Sequence, residues 1–519
     1  EIINLDKVVI VIMKVSNDFF RQFEELNYKL DSLLEENKLL RKESKKEKDV
    51  LLKSFKFEKD ELNSTITLLT KQLEKSNELI MKLQDEIDRL KNKNNKNSSN
   101  SSKPSSTNIT TPKKKTGANL YNYRTKTNKK IGGQYGHVGY SLSKDYVENL
   151  IENNKIEMKE YVHIIKGKSS KADTIKYKLG ISIKPYVEKH IFKYDEKSKN
   201  ILPKDYYTDV MYDNNIKALA IELGTYNVIS YGRLSDFFNV ITNGIINISN
   251  SNLVNILYEF SHKSIPTINT LENNILNGKT IYTDETGTKF NGKNMYVRNY
   301  SNNENVVYKA HKNKGHNPIK EDNILTRFCS GIMGDHDTTL SSYGTKNYEC
   351  NIHLGRYLEE LVQNIPNISW TLKMKELLFR MNNTKKIAIS YGLNNFDKKK
   401  INEYLDEFDN ILDLALVENK TIKSSYYKDK ANKLYRRIKK YKNNHLYFIK
   451  NFEVPFDNNL SEQDLRIFKT KTKISGGFRS MKAAEHYVNA LSVIKTSIKR
   501  KINPFESIKQ IFDNEVLFA

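Results

Sequence analysis

Residues 17–93 contain neither Pro nor Gly, and their apolar side chains recur at alternating spacings of three and four. Phe23, Leu26, Leu30, Leu33 and Leu40 form one seam, with Asn37 at a core-type position. Leu62, Ile66, Leu69, Leu73, Ile80, Leu83, Ile87 and Leu90 form a second. A 3–4 alternation sustained over several heptads makes a narrow stripe on a helix, which predicts a coiled coil rather than a helix of a compact domain. The seams differ in phase by one residue, so a stutter or break is expected between residues 44 and 61. A polar Asn in such a seam fixes register and oligomer number, so the expected role is self-association as a homo-oligomer, a dimer first. The competing reading is a helical hairpin within one chain.

Residues 94–144 break the pattern. NNKNSSNSSKPSSTNITTPKKKTG is polar and basic and has too few apolar side chains to fold alone, so a flexible linker is expected. The segment IGGQYGHVGYSL at 131–142 has four glycines but lacks a strand before and a helix after, so it is not a dinucleotide loop. The linker's basicity is shared by the whole chain: 86 Lys and Arg stand against 62 Asp and Glu, a formal net charge of +24. Neutralising phosphates supplies most non-specific affinity for nucleic acid, so DNA or RNA is expected as a partner before a membrane. The only long apolar opening run, VVIVIM at 8–13, is too short to cross a bilayer and no cleavage-site pattern follows it. Two cysteines rule out a disulfide framework and a four-cysteine zinc site, and a soluble cytoplasmic protein is expected.

The rest of the chain reads as a multidomain α/β protein. Residues 145–210 suggest a small α/β recognition module with strands near 177–183 and 186–192. Residues 211–275 read as helical, with helices near 216–223, 233–242 and 249–260 in the outline of a helix-turn-helix, a possible DNA-binding segment. Residues 276–519 change character. Strands at 280–283, 294–300 and 305–310, a helix near 319–328 and a fourth strand come first, then a helical insertion at about 348–452.

Acids punctuate that last region. Asp284 follows the first strand, Asp335 and Asp337 flank His336 after the fourth, and Glu462 stands in PFDNNLSEQDLRIFKTKTKISGGFRS at 455–480. Asp457, Asn458 and Asn459 are three candidate N-caps, and the helix after them carries Glu462, Arg466 and Lys469 on one face. Asn459 and Glu462 also fit a capping box, which would leave the glutamate a purely structural task. Three separated acids, two at strand ends and one on a helix, are what two-metal phosphoryl transfer requires. Mg²⁺, or Mn²⁺ in its place, prefers such oxygen donors. Hairpin strands, a helix, a strand and a later helix with the last acid follow ribonuclease H-like order. Arg466, Lys469, Lys471, Lys473 and Arg479 are the candidates for the DNA backbone. Cys350 and His353 make only half of a metal-site pattern and read as packing at a helix start, and Trp370 reads as a core anchor.

TDET at 283–286, the HD pair at 336–337 followed by ECNIHLGRYL, and VPFDNNLSEQDLR with KISGGFRS resemble bacterial DDE transposases of the insertion-sequence 66 family. The NSSKPSS linker, the GGQYGHVGYSL segment and the N-terminal heptads extend the resemblance from about residue 20 to the C-terminus. It implies a ribonuclease H-like catalytic core with a helical insertion, two Mg²⁺ ions, and double-stranded DNA as partner, both the element's ends and the target. It also implies accessory proteins of the same element. Carried over by position, Asp284 is the first catalytic and metal-binding acid and Glu462 the third. The second is Asp335, which comes first after the apolar Ile332 and Met333, with Asp337 as the alternate. Family members often carry a cysteine-rich zinc module where residues 145–205 have no cysteine, so no zinc site is expected here.

Overall fold

The computed structural model describes residues 19–29, 31–32, 45–101, 103, 143–163, 175–193, 206 and 208–519. The apolar run 8–13, the seam positions Leu30, Leu33, Asn37 and Leu40, the linker beyond residue 103 and the glycine-rich stretch 131–142 lie outside the described residues. The chain divides into two compact units: Glu1–Tyr123 with Tyr348–Asp457, and Arg124–Asn347 with Asn458–Ala519.

After helical residues at 19–29 and 31–32 come α1 (Lys45–Asn94), α2 (Lys144–Glu152), α3 (Asn214–Ile221), α4 (Tyr231–Ile241), α5 (Asn250–Lys263) and α6 (Ile265–Leu276). The sheet region follows: β1 (Thr280–Phe290), β2 (Lys293–Ser301), β3 (Val306–His311), α7 (His316–Asp322), β4 (Gly331–Gly334) and β5 (Lys346–Glu349). The insertion brings α8 (Asn351–Asn364), α9 (Trp370–Ser390), α10 (Lys398–Lys420), α11 (Ser425–Lys440) and α12 (Lys442–Lys450). The chain closes with α13 (Asn459–Ser475), α14 (Met481–Lys499) and α15 (Pro504–Phe512). Among the described residues no helix is long and apolar enough to cross a membrane.

The first unit is helical. α1 runs unbroken from Lys45, so the phase change before Glu61 does not interrupt the helix. Its far end is held by polar contacts with the insertion. Asp85 accepts the hydroxyl of Ser425 and the main-chain N–H of Tyr426 (3.2 Å), satisfying orphan donors at the start of α11. Asn92 donates to the Tyr426 hydroxyl (2.8 Å) and Asn100 to Gln363 (2.6 Å). Asn92, Asn97 and Asn100 are buried, so the polar stretch just after the heptads is structured as far as residue 101. Trp370 is fully buried at the start of α9 and donates its indole N–H to Asn419 (3.0 Å), a core anchor with its polar edge satisfied.

The second unit is built on a five-stranded mixed sheet in the order β3-β2-β1-β4-β5, with β1 antiparallel to β2 and parallel to β4. Alternation along the strands assigns the two faces. Ile281, Tyr300, Val307 and Ile332 turn to a core shared with α5, α6, α14 and α15. Met295, Val297, Val306 and Tyr308 turn to the opposite side, against Leu465 and Phe468 of α13 and Tyr487, Val488 and Leu491 of α14. A satellite core of Ala220, Leu234, Phe238, Ile248 and Leu253 joins α3, α4 and α5.

Three sequence expectations are corrected here. Residues 175–193 contain no strand, and Ile181 and Val187 are 90% and 94% exposed. Two β-prone runs with no core to cover one face do not hold a hairpin, so the described part of the expected small α/β module contains one helix and no strand. The helix expected at 319–328 is the shorter α7, ended by Asn323 in the left-handed region (φ 53°). β1 does not end at Asp284 but continues to Phe290, because β2 pairs with it along that whole length.

Candidate active site

Asp284 lies where the two neighbours of β1 part company. The parallel register with β4 ends at Tyr282 and Met333, whereas the antiparallel register with β2 runs on through Asp284 and Asn299. Two residues beyond the last parallel pair on each strand come Asp284 and Asp335. A strand that loses its parallel partner opens a crevice at the carboxyl end of the sheet, the usual place for a site in an α/β layer.

Hydrogen bonds fix which face Asp284 takes. Residues directly opposite in an antiparallel pair share a face. Asn299, opposite Asp284, accepts the Ser461 hydroxyl of α13 (2.7 Å) and the main-chain N–H of Asp284 itself (3.0 Å). Thr288, further along the same face of β1, meets Thr472 of α13 at 3.0 Å. Asp284 therefore lies on the face that α13 covers, and Ser461, the neighbour of Glu462, is tied to it through one buried asparagine.

The N-terminus of α13 brings in the other acids. Asn458 is the N-cap residue (φ −98°, ψ 27°), yet its side chain makes no capping bond to its own helix. It donates instead to the main-chain oxygen of Thr283 (2.9 Å) and to the Asp335 carboxylate (3.2 Å). The first helical bond runs from the Glu462 N–H to the Asn458 oxygen (3.2 Å), so Glu462 is the fourth helical residue. A capping box needs its acid at the third, which here is Ser461. The register removes the capping-box reading, and Glu462 and Asp335 bring carboxylate oxygens within 4.8 Å of each other.

Asp337 is engaged elsewhere. It caps the 3-10 turn Thr338–Ser342, accepting the Thr339 N–H (3.0 Å) and hydroxyl (2.6 Å), and it accepts from the Arg298 guanidinium (3.2 Å). Burial works to raise its pKa, but the Thr339 hydrogen bonds and the Arg298 charge outweigh it and hold the carboxyl below its ordinary value. Arg298, 2% exposed on β2, also bonds Glu285 directly opposite on β1 (3.0 Å), and Glu285 reaches Lys314 (3.1 Å). Of the two candidates for a second acid, Asp335 stands with Glu462, and Asp337 is spent on a turn and a buried ion pair.

Two carboxylates this close repel unless a cation lies between them or one is protonated. Carboxylate oxygens suit a hard divalent ion such as Mg²⁺ or Mn²⁺, and in the sheet unit Asp335 and Glu462 supply them, while Asp284 lies on the face of β1 that α13 covers.

Along α13, Arg466, Lys469 and Lys473 are exposed on the stripe that begins with Glu462. Lys471 turns away: it is half-buried over the Tyr487 ring (5.3 Å), and burial lowers its pKa. Arg479 is exposed in the turn after α13. That turn needs its glycines. Gly476 ends α13 in the left-handed region (φ 71°), and a side chain at Gly477 (φ 145°) would strike the Lys289 carbonyl of β1. The close approach lets the Phe478 N–H reach the Lys289 oxygen (2.8 Å), tying the end of α13 back to β1. Cys350 is fully buried just before α8, and His353 meets Arg356 at 3.0 Å.

Sequence reasoning missed Asn299, Ser461 and Arg298, and it took Asn458 for a cap. The only available signal was the unusual density of cap-type residues in DNN at 457–459, more than one helix start can use.

Residues 209–486, more than half of the chain, match the family model described as Transposase IS66 family. No curated protein matches the chain.

Proposed function

The chain belongs to the IS66 family of transposases, and we propose from that premise that it cuts the ends of a mobile DNA element and joins the freed 3′-hydroxyl to target DNA. The core would be ribonuclease H-like, with Asp284, Asp335 and Glu462 as catalytic acids and Asp337 as a structural neighbour. The observation that carries this reading is the pair Asp335 and Glu462, carboxylates within 4.8 Å at the open end of the sheet. Asp284 lies two residues beyond the last parallel pair on the same side.

The bound divalent ions, two of them, would activate the attacking oxygen and stabilise the leaving one. The chain's own residues do the rest. Asp284, Asp335 and Glu462 hold the ions by carboxylate oxygens, Asn458 and Asn299 fix those acids, and Arg466, Lys469, Lys473 and Arg479 take the phosphate backbone beside them. Lys471, being half-buried, is the weakest of the DNA candidates. Self-association through the heptads of α1 would bring two such cores to the two ends of one element. The half-exposed apolar stripe along α1 supports that role. Accessory proteins of the element remain part of the proposal on the family's account alone.

The test is a labelled duplex carrying the element's ends, incubated with Mg²⁺ or Mn²⁺ and with either the wild-type chain or Glu462→Gln. Terminal nicking that needs the metal and disappears in the variant supports the reading. DNA binding without cleavage, equal in both proteins, overturns the enzymatic part and leaves a DNA-binding protein.

A further inference from the structure

The insertion carries a second concentration of positive charge, on α11 of the helical unit rather than on α13. α11 has seven cations against one acid, Asp429. Its two halves use them differently. In the first half, Lys428 donates to the Lys420 carbonyl (3.2 Å), Lys430 pairs with Glu360, and Lys433 pairs with Asp429 (2.6 Å). That half also receives α1, through Asp85 and Asn92.

In the second half Arg437 pairs with Glu349 (3.8 Å), whereas Arg436, Lys439 and Lys440 meet no acid among the described residues. Arg436 donates to the Asn432 carbonyl one turn back (3.3 Å), Lys439 to the Tyr435 hydroxyl (3.4 Å), and Lys440 lies over the Tyr441 ring (5.1 Å). All three are exposed. A helix dipole favours a cation or two in the last turn. It does not account for Arg436, Lys439 and Lys440 together, since like charges three and four residues apart repel along a helix. Such a cluster is costly to the isolated chain and becomes favourable against a polyanion.

We propose that the C-terminal half of α11 is a second DNA-backbone surface, with Arg436, Lys439 and Lys440 each neutralising a phosphate. The inference rests on the transposase reading for the identity of the polyanion. Arg436 and Lys440 are one helical turn apart, a rise of about 6 Å. That matches about two nucleotide steps of one strand at roughly 3.4 Å each. Tyr441, half-buried beneath Lys440, supplies a flat face beside them. Since α1 covers only the first half of the helix, the surface stays open while α1 is docked.

The test measures binding of the full chain to a random-sequence duplex over a range of salt concentrations. Each phosphate contact contributes about 0.9 to the slope of log affinity against log salt. The triple variant Arg436→Gln, Lys439→Gln, Lys440→Gln is expected to lose about 2–3 from that slope. A control with the same charge removed from exposed positions of the same unit, Lys386→Gln, Lys398→Gln, Lys399→Gln, is expected to keep it. Should the triple variant misfold by far-UV circular dichroism, Lys440→Gln alone is expected to lose about 1. An unchanged slope in the α11 variants, or an equal loss in the control, overturns the proposal. Either result leaves end cleavage by wild type, and its loss in Glu462→Gln, standing as the separate test of the transposase reading. No duplex binding by wild type at all overturns both.

Discussion

Asn458 donates its side-chain amide to the carboxylate of Asp335, 3.2 Å away, and to the main-chain oxygen of Thr283, 2.9 Å away. One residue at the head of α13 thereby ties together the chain leaving β4, the residue before Asp284 and the helix that carries Glu462. The carboxylate of Asp335 is thus held by a side chain that is not itself an acid, on the helix that carries Glu462.

Asn458→Ala is expected to reduce end cleavage by about 10–100-fold, the usual cost of losing a group that orients metal ligands. DNA binding should stay within a few-fold of wild type. Asn458→Asp is expected to be worse than alanine, because a third carboxylate then faces Asp335. Cleavage equal to wild type in both variants would sink the positioning role.

Asp335→Asn and Asp337→Asn separate the two candidates for the second acid. The first is expected to abolish metal-dependent cleavage with little change in unfolding midpoint. The second is expected to lower stability by about 1–3 kcal/mol, having lost a turn cap and a buried ion-pair partner, while cleavage persists. The reverse pattern would move the assignment to Asp337.

Arg298→Met leaves Glu285 and Asp337 without their shared buried cation. Removing one partner of a buried pair costs about 3–5 kcal/mol. A clear drop in urea midpoint is expected, and restoring neutrality with Glu285→Gln and Asp337→Asn should recover part of it. An unchanged midpoint for the single variant would show that the pair contributes nothing.

His445 gives a pH dependence with a definite sign. It is buried in the helical unit, and burial, then the charge of Arg437, lowers its pKa to about 3. The unfolded chain takes up this proton near the ordinary value of 6.5, the folded chain only near 3. The stability from keeping it neutral is present above 6.5 and is lost as pH falls toward 3, by about 1.4 kcal/mol per pH unit. His445→Gln is expected to flatten the urea-midpoint profile between about pH 6.5 and 4.5, relative to wild type. Parallel profiles would assign the acid sensitivity to other groups.

Asp85→Ala removes the acceptor that α1 presents to the start of α11. Amide exchange in residues 85–101 is expected to accelerate, with Asn97 and Asn100 losing protection, while the sheet unit is unaffected. Exchange unchanged in that segment would mean Asp85 does not hold the two helices together.

The sequence by itself determined the elements whose signals are local. The heptads dictate a long helix because no Pro or Gly interrupts them, and α1 runs unbroken from Lys45 to Asn94. The strand–strand–strand–helix–strand order was legible from β-prone runs and turn residues, as was the helix that carries Glu462. Local signals fail where the outcome depends on a partner distant in sequence. Residues 177–192 have strand propensity but no core to cover them, so they form none. β1 runs past Asp284 because β2 pairs with it, and α13 begins one residue before the capping box would put it. Only the tertiary structure decided which aspartate stands beside Glu462. Asp335 and Asp337 are alike in the sequence, and what separates them is Arg298 from one strand and Asn458 from a helix more than a hundred residues away. A side chain's chemistry is written in its type, but its partner is set by the fold, and in a site made of like charges the partner decides the role.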